Sequence, residues 1–193
     1  LVSRGLPCER IFPWELADPE VLKGFDVLLL SSPTATRGSI DPALMAWLQA
    51  GGRAYVEVWA GQQGPPPLSA LVSTLGNVPN QTDAIITQSD HPITRSLSPG
   101  DVIDLFHLNG SMIRPKRSVQ ATVLAQFCPD GGGQPLQYGA AALALPVGEG
   151  ELVYCGAPLS FCLFHRGPGS EPLLAAILDY LCRGRAARRL TPG

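Results

Sequence analysis

Glu57 sits in the run Ala54-Tyr55-Val56-Glu57-Val58-Trp59, an otherwise strand-like apolar stretch. A lone carboxylate there is costly to desolvate, so it requires a partner or a solvent-filled pocket. It could supply a pocket acid or a hydrogen-bond acceptor; the alternatives are an edge position or a structural pairing with an arginine. Trp59 follows two residues on, and its indole can plug the mouth of such a pocket or offer a platform to a sugar or other ring. Ser31, Ser32 and Thr34 bring hydroxyls out of an earlier apolar run, where capping a turn is the plainer role. His91 adds an imidazole within Ser89-Asp90-His91-Pro92-Ile93-Thr94. Ser31, Ser32, Thr34, Glu57, Trp59 and His91 form the candidate ligand-binding set.

A second set would be catalytic. Cys155 ends an apolar run and His165 lies ten residues on, so a thiol and an imidazole could meet as nucleophile and base. That chemistry requires an exposed thiol of lowered pKa, whereas a cysteine in an apolar strand is ordinarily a small space-filler. Asp90, His91, Asp104, His107 and His165 are types able to hold a metal or move protons. Asp104 and His107 are three apart, which on a strand places them on opposite faces. The 5 cysteines, at positions 8, 128, 155, 162 and 182, are scattered without a Cys-x-x-Cys pair. No metal, no cofactor and no disulfide framework are expected, and reduced thiols favour the cytoplasm.

The elements that must position these groups begin with Gly24 to Gly61, read as strand, loop, helix, strand. Asp26 to Leu30 has the unbroken apolar pattern of a strand buried on both faces of a parallel sheet. Asp41 suits an N-cap, Pro42 fits the first helical turn, and Leu44, Met45, Trp47 and Leu48 form a stripe at helical spacing. Gly51 and Gly52 end the helix, and Ala54 to Trp59 supplies the second strand of a βαβ unit. Elsewhere the pattern predicts a short strand over Glu9 to Phe12, a helical turn over Pro19 to Lys23, and a helix over Leu68 to Leu75 closed by Gly76. Strands are predicted over Ala84 to Thr87 and Thr122 to Phe127. Ala140 to Leu145 and Leu152 to Cys155 form a hairpin across Gly148-Glu149-Gly150. Ser170 caps a helix over Glu171 to Cys182 whose Leu173, Leu174, Ile177, Leu178 and Leu181 face the core.

The order of buried strand, loop, helix ending in Ala-Gly-Gly, and strand entering an Ala-Gly turn resembles the class I glutamine amidotransferase-like superfamily across most of the chain. The resemblance implies a three-layer, flavodoxin-like α/β sandwich with a mostly parallel sheet and a C-terminal β-hairpin. Catalytic members carry a nucleophilic Cys in the sharp turn after the second strand. Here that stretch is Glu57-Val58-Trp59-Ala60-Gly61, and Trp59 stands in the Cys position. An indole N–H has no nucleophilic lone pair to offer. Independently, Gly64-Pro65-Pro66-Pro67 hinders the immediate helix start that such an elbow needs. His91-Pro92-Ile93-Thr94 is similar to the ThuA-like branch, which is associated with carbohydrate metabolism. That branch has an Asp-Glu pair and then Tyr where this chain has Asp104-Leu105-Phe106-His107. Val147 to Gly156 resembles a structural segment of ThuA-like domains and of the amidotransferase-like middle domain of some β-galactosidases. Its glycines join two strands instead of opening a helix, so they do not read as a phosphate cradle.

At 193 residues and net charge −2, the chain is expected to form one domain over residues 1–184, followed by a basic tail over 185–193. Arginines after a helix C-terminus favour its dipole, so a solvated tail and no nucleic-acid partner are expected. No run approaches a membrane span. The 21 glycines and 19 prolines suggest a loop-rich protein of a GC-rich, bacterial genome. The superfamily's first, central strand has no counterpart, so the chain is read as a fragment of a longer polypeptide, the alternative being a sheet built without that strand. The leading functional expectation is a non-catalytic domain that binds a small ligand or another protein domain in a carbohydrate-related protein. A hydrolase or amidase using Cys155 and His165, and a structural homo-oligomerisation module, are the alternatives.

Overall fold

A computed structural model describes residues 8–12, 14–31, 40–58, 68–79, 82–87, 89–105, 110–129, 131–136, 139–165 and 168–183. The βαβ unit forms as the sequence implies: strand β1 (Val27–Leu30), helix α2 (Asp41–Gln49) and strand β2 (Arg53–Glu57), preceded by a single helical turn, α1 (Pro19–Leu22). β1 lies directly against β2, with Val27 opposite Arg53 and Leu30 opposite Val56, so no gap separates these two strands. Ala43, Leu44, Trp47 and Leu48 are the buried side of α2. The helix stops where Gly51 takes a φ of +102°, and a Cβ on Gly52 would fall 2.4 Å from the Trp47 ring. Asp41 is the first helical residue and not its cap: its Oδ1 accepts the Leu68 N–H at 3.0 Å and ties Leu68 to the start of α2.

Six further strands follow before the C-terminal helices: β3 (Val72–Asn77), β4 (Thr82–Ile86), β5 (Val102–Ile103), β6 (Ser111–Pro115), β7 (Thr122–Pro129) and β8 (Ala140–Val147), with β9 (Gly150–Cys155) completing the sheet. The main path runs β1-β2-β9-β8-β7-β4-β5, and β3 with β6 forms a ribbon joined to β8 through β6. Only β1–β2 and β2–β9 pair in parallel among the described strands. Every other pairing is antiparallel. The sheet is therefore mixed, which corrects the expectation of a mostly parallel one. Parallel neighbours need a crossover long enough to reverse the chain, usually a helix; β9 instead follows its neighbour β8 after only Gly148 and Glu149, which makes that pair antiparallel.

A second correction concerns residues 68–75. The expected helix is a turn at Leu68 followed by β3, and Gly76 (φ +139°) sits at a register shift where β3 meets β6 instead of closing a helix. β-branched Val72 and Thr74 tolerate the strand, and pairing with β6 outweighs the local helical spacing. Leu68 itself takes a φ of 57°, and the Asp41 bond holds it there. Residues 9–12 carry no strand; Phe12 instead opens a turn closed by Glu15 N–H to the Phe12 carbonyl at 2.9 Å.

Helices α3 (Leu159–His165) and α4 (Glu171–Cys182) complete the chain. Alternation along β2 and β9 sorts two cores. Ala54, Val56, Leu152 and Tyr154 pack with α1 and α2. Tyr55, Val153 and Cys155 pack with Leu173, Leu174, Ile177 and Leu181 of α4. Ser170 precedes α4 but makes no side-chain cap; its hydroxyl donates to the Leu159 carbonyl at 2.8 Å and fastens α4 to α3.

Candidate functional site

The β2–β9 pair presents polar groups at both ends of one face. Register places Arg53 opposite Glu151 at the amino end and Glu57 opposite Cys155 at the carboxyl end. Four residues separate the two levels along each strand, about 13 Å at ~3.3 Å per residue. Side chains at alternate positions share a face, so Arg53, Tyr55 and Glu57 all point to the side covered by α3 and α4.

At the carboxyl end, Glu57 is fully buried. Its Oε1 accepts the Ser160 hydroxyl at 2.8 Å and its Oε2 accepts the Ser160 N–H at 2.9 Å. The Tyr55 hydroxyl donates to Oε2 as well. Hydroxyl and amide donors thus offset the desolvation of the carboxylate. Burial first, and the Glu57 charge next, push the Tyr55 phenol well above its ordinary value, so it stays protonated and able to donate. Cys155 is also fully buried, with its Sγ 3.5 Å from the Ala141 carbonyl. Burial, then the Glu57 charge, drive its thiol upward. Cys162 on α3 is pushed up to about 12 by the same two causes, with Asp104 and Asp83 adding to them. A nucleophilic cysteine requires the opposite environment, one that is accessible and stabilises the thiolate.

The amino end holds His91, which the sequence grouped with Glu57. The structure places them at opposite ends of the strands. His91 Nε2 lies 3.2 Å from Glu151 Oε1, and the Tyr180 hydroxyl donates to the other carboxylate oxygen. The imidazole meets the Tyr180 ring edge-on at 5.0 Å. The Ile93 N–H donates to His91 Nδ1 at 3.3 Å, which makes Nδ1 the acceptor and leaves Nε2 to donate to Glu151. Both ring nitrogens are engaged. The Thr94 hydroxyl reaches the Ser89 and His91 carbonyls at 3.2 and 3.0 Å, so Ser89 to Thr94 forms a turn that presents the imidazole. Burial first, with Glu151 adding to it, pushes the Tyr180 phenol up to about 12. Arg53 Nη1 donates to the Leu181 and Arg183 carbonyls, both at 3.0 Å, and so satisfies the end of α4.

Of the remaining candidates, Ser31 is exposed just beyond β1. Ser32, Thr34, Trp59 and His107 lie outside the described residues, as does the basic tail, and His165 ends α3 with only its backbone described. Asp83 is buried as a structural acceptor for the Leu105 and Gly131 N–H groups at 2.9 and 2.8 Å. Among the described residues no three His, Cys, Asp or Glu side chains gather as a metal site, and no helix is long and apolar enough to cross a membrane. Sequence reasoning missed Tyr55, Ser160, Glu151 and Tyr180. The two-residue spacing from Tyr55 to Glu57 on one strand face was the available signal for the first; Ser160 and Tyr180 come from helices distant in sequence.

No family model matches the chain, and no curated protein matches it in sequence. Solved structures do share its fold. A cytoplasmic protein of Salmonella typhimurium, STM3548, superposes with a TM-score of 0.65 at 12% identity over 93% of this chain and 83% of its own. The mmIFT52 N-terminal domain gives 0.63 at 13% identity, over 87% and 82%. A β-galactosidase from Rahnella sp. R3 gives 0.57 at 18% identity over 88% of this chain, which spans 24% of the enzyme's length. At these identities the likeness is one of fold alone.

Proposed function

We propose that this chain is a non-catalytic recognition domain that binds a small ligand or another protein domain in a carbohydrate-related protein. The observation that carries the reading is the state of Glu57: fully buried, with its two oxygens engaged by Tyr55 and Ser160 under α3. The acid holds the scaffold together at the sheet edge where α/β proteins commonly place ligands. Ligand contacts are then assigned to Ser31, Ser32, Thr34 and Trp59, with Glu57 in a supporting, structural role. The likeness to part of a β-galactosidase supports the carbohydrate assignment. We read β1, α2, β2 and β9, with helices on both faces, as the amidotransferase-like, flavodoxin-like part of the fold.

The reading is tested by incubating the chain with a panel of glycosides, oligosaccharides and simple amides while both binding and product release are followed. Saturable binding without turnover, weakened by Trp59→Ala, is the expected result. Turnover that disappears in Cys155→Ala would overturn it.

A further inference from the structure

We propose a protein-docking site on the β3–β6 ribbon: the outer edge of β3 takes up a short, extended, acidic segment of a partner protein, paired through its backbone and gripped by Arg114 and Lys116. The site uses none of the residues assigned to a ligand above. Among the described strands β3 pairs with β6 alone. Thr74, Leu75, Gly76 and Asn77 are exposed and Ser73 is half-buried, so this edge of the ribbon faces solvent.

The register identifies the backbone groups left over. The Lys116 N–H donates to the Leu71 carbonyl at 2.8 Å, one pair beyond Val72 opposite Pro115. Bonded and non-bonded pairs alternate along an antiparallel ladder, so Ser73 exchanges bonds with Arg114 while the Thr74 N–H and carbonyl turn outward. Two observations agree with that alternation. Pro115, which has no N–H, falls at a non-bonded position, and the Val72 N–H turns away from β6 to the Leu68 carbonyl at 3.3 Å. Proteins ordinarily blunt an open edge with charge or proline on the edge strand itself, and β3, Val-Ser-Thr-Leu-Gly-Asn, has neither. The register shift before Gly76 limits the addition to a few residues.

Charge selects the occupant. Arg114, Lys116 and Arg117 are exposed, and among the described residues none of them is held in an ion pair or a side-chain hydrogen bond. No carboxylate lies on β3, β6 or the adjoining β8. Asp41, tied to Leu68 just before β3, sets one negative charge against three positive ones. Arg114 and Lys116 are two residues apart, roughly 6.6 Å along the strand and on one face, which is the spacing of carboxylates at alternate residues of an extended peptide. Ser73 stands opposite Arg114, and its short side chain lets the guanidinium reach across to a strand added about 4.8 Å beyond β3. Three cations fall short of the ~4–8 clustered Lys or Arg that hold an anionic membrane. The net charge of −2 works against a nucleic-acid polyanion. A second copy adding its own β3 would bring more cations to the edge and no carboxylate.

The test titrates the full chain into a fluorescein-labelled peptide of alternating Glu and Val, its Lys-for-Glu counterpart, and the acidic peptide with N-methylated backbone amides, reading anisotropy. Expected are saturable binding of the plain acidic peptide and at least about tenfold weaker binding in the double variant Arg114→Glu, Lys116→Glu. Arg95→Glu, which reverses an exposed cation elsewhere, should bind like wild type. N-methylation should weaken binding by a similar factor; it separates strand pairing from attraction alone and depends on no variant folding. Indifference to either the double variant or N-methylation overturns the proposal, as does the absence of saturable binding. Tighter binding of oligothymidylate or of phosphatidylserine vesicles, lost in the same double variant, would overturn it in favour of a polyanion. The glycoside panel above involves none of these groups, so the two readings fail separately.

Discussion

The two ends of β2 and β9 solve the same problem in different ways. Each carries a carboxylate on the face under α3 and α4, and each carboxylate accepts a tyrosine hydroxyl. At the carboxyl end Glu57 is sealed from solvent and its additional donors, the Ser160 hydroxyl and N–H, are neutral. At the amino end the side chain of Glu151 is 20% exposed, and its second partner is the His91 Nε2 at 3.2 Å. Burial makes the first arrangement a structural lock, because an unmade bond there costs the full desolvation of the group left behind. Residual solvent makes the second a clasp that joins the Ser89–Thr94 turn to α4 at lower stakes.

The largest effect should therefore come from Glu57→Ala, which leaves the Tyr55 hydroxyl and two Ser160 donors without their acceptor and is expected to cost about 4 kcal/mol in urea unfolding. Glu57→Gln keeps one acceptor oxygen and should cost about half as much. Tyr55→Phe removes one bond to a charged acceptor, a loss of about 2 kcal/mol. At the clasp, His91→Ala or Glu151→Ala should cost only about 1 kcal/mol each, and the double variant less than their sum, since the two share one interaction. Equal costs at the two ends would show that burial does not separate them.

A smaller effect concerns pH. The Cys162 thiol moves from an ordinary 9.0 to about 12, chiefly through burial, and Cys155 and Tyr55 shift in the same direction. Above pH 9.0 the unfolded chain releases thiol protons that the folded chain retains, so the unfolded state binds fewer protons and stability falls as pH rises toward 12. Below 9.0 this contribution is fully present. Equilibrium unfolding between pH 8 and 10.5 should show the decline, and Cys162→Ala should make it shallower.

Features written locally in the sequence were legible. The β1-α2-β2 unit, the β8–β9 hairpin and α4 each follow from a short apolar pattern bounded by Gly, Pro or Ser, and all formed. Features decided by distant pairing were not. Residues 68–75 have helical spacing, yet their hydrogen bonds go to β6 about forty residues away. The mixed sheet has the same origin, because strand direction depends on which partner is reached. The burial cost of Glu57 implied that it needs a partner, but that partner, Ser160, lies on α3, 103 residues on. His91 was grouped with Glu57 by residue type alone, and only the register of β9 reveals that they stand at opposite ends.

The inertness of the carboxyl end is tested most directly by the rate at which Cys155 is alkylated by iodoacetamide near neutral pH, followed by peptide mass spectrometry with exposed Cys8 as the internal standard. Cys155 should be labelled only when the domain unfolds, at least about a thousandfold more slowly than Cys8, and faster in Glu57→Ala because unfolding is then easier. Labelling of Cys155 in the native protein at the rate of Cys8 would mean an accessible thiolate beside Glu57, and the sealed carboxyl end, with the non-catalytic function proposed from it, would have to be abandoned.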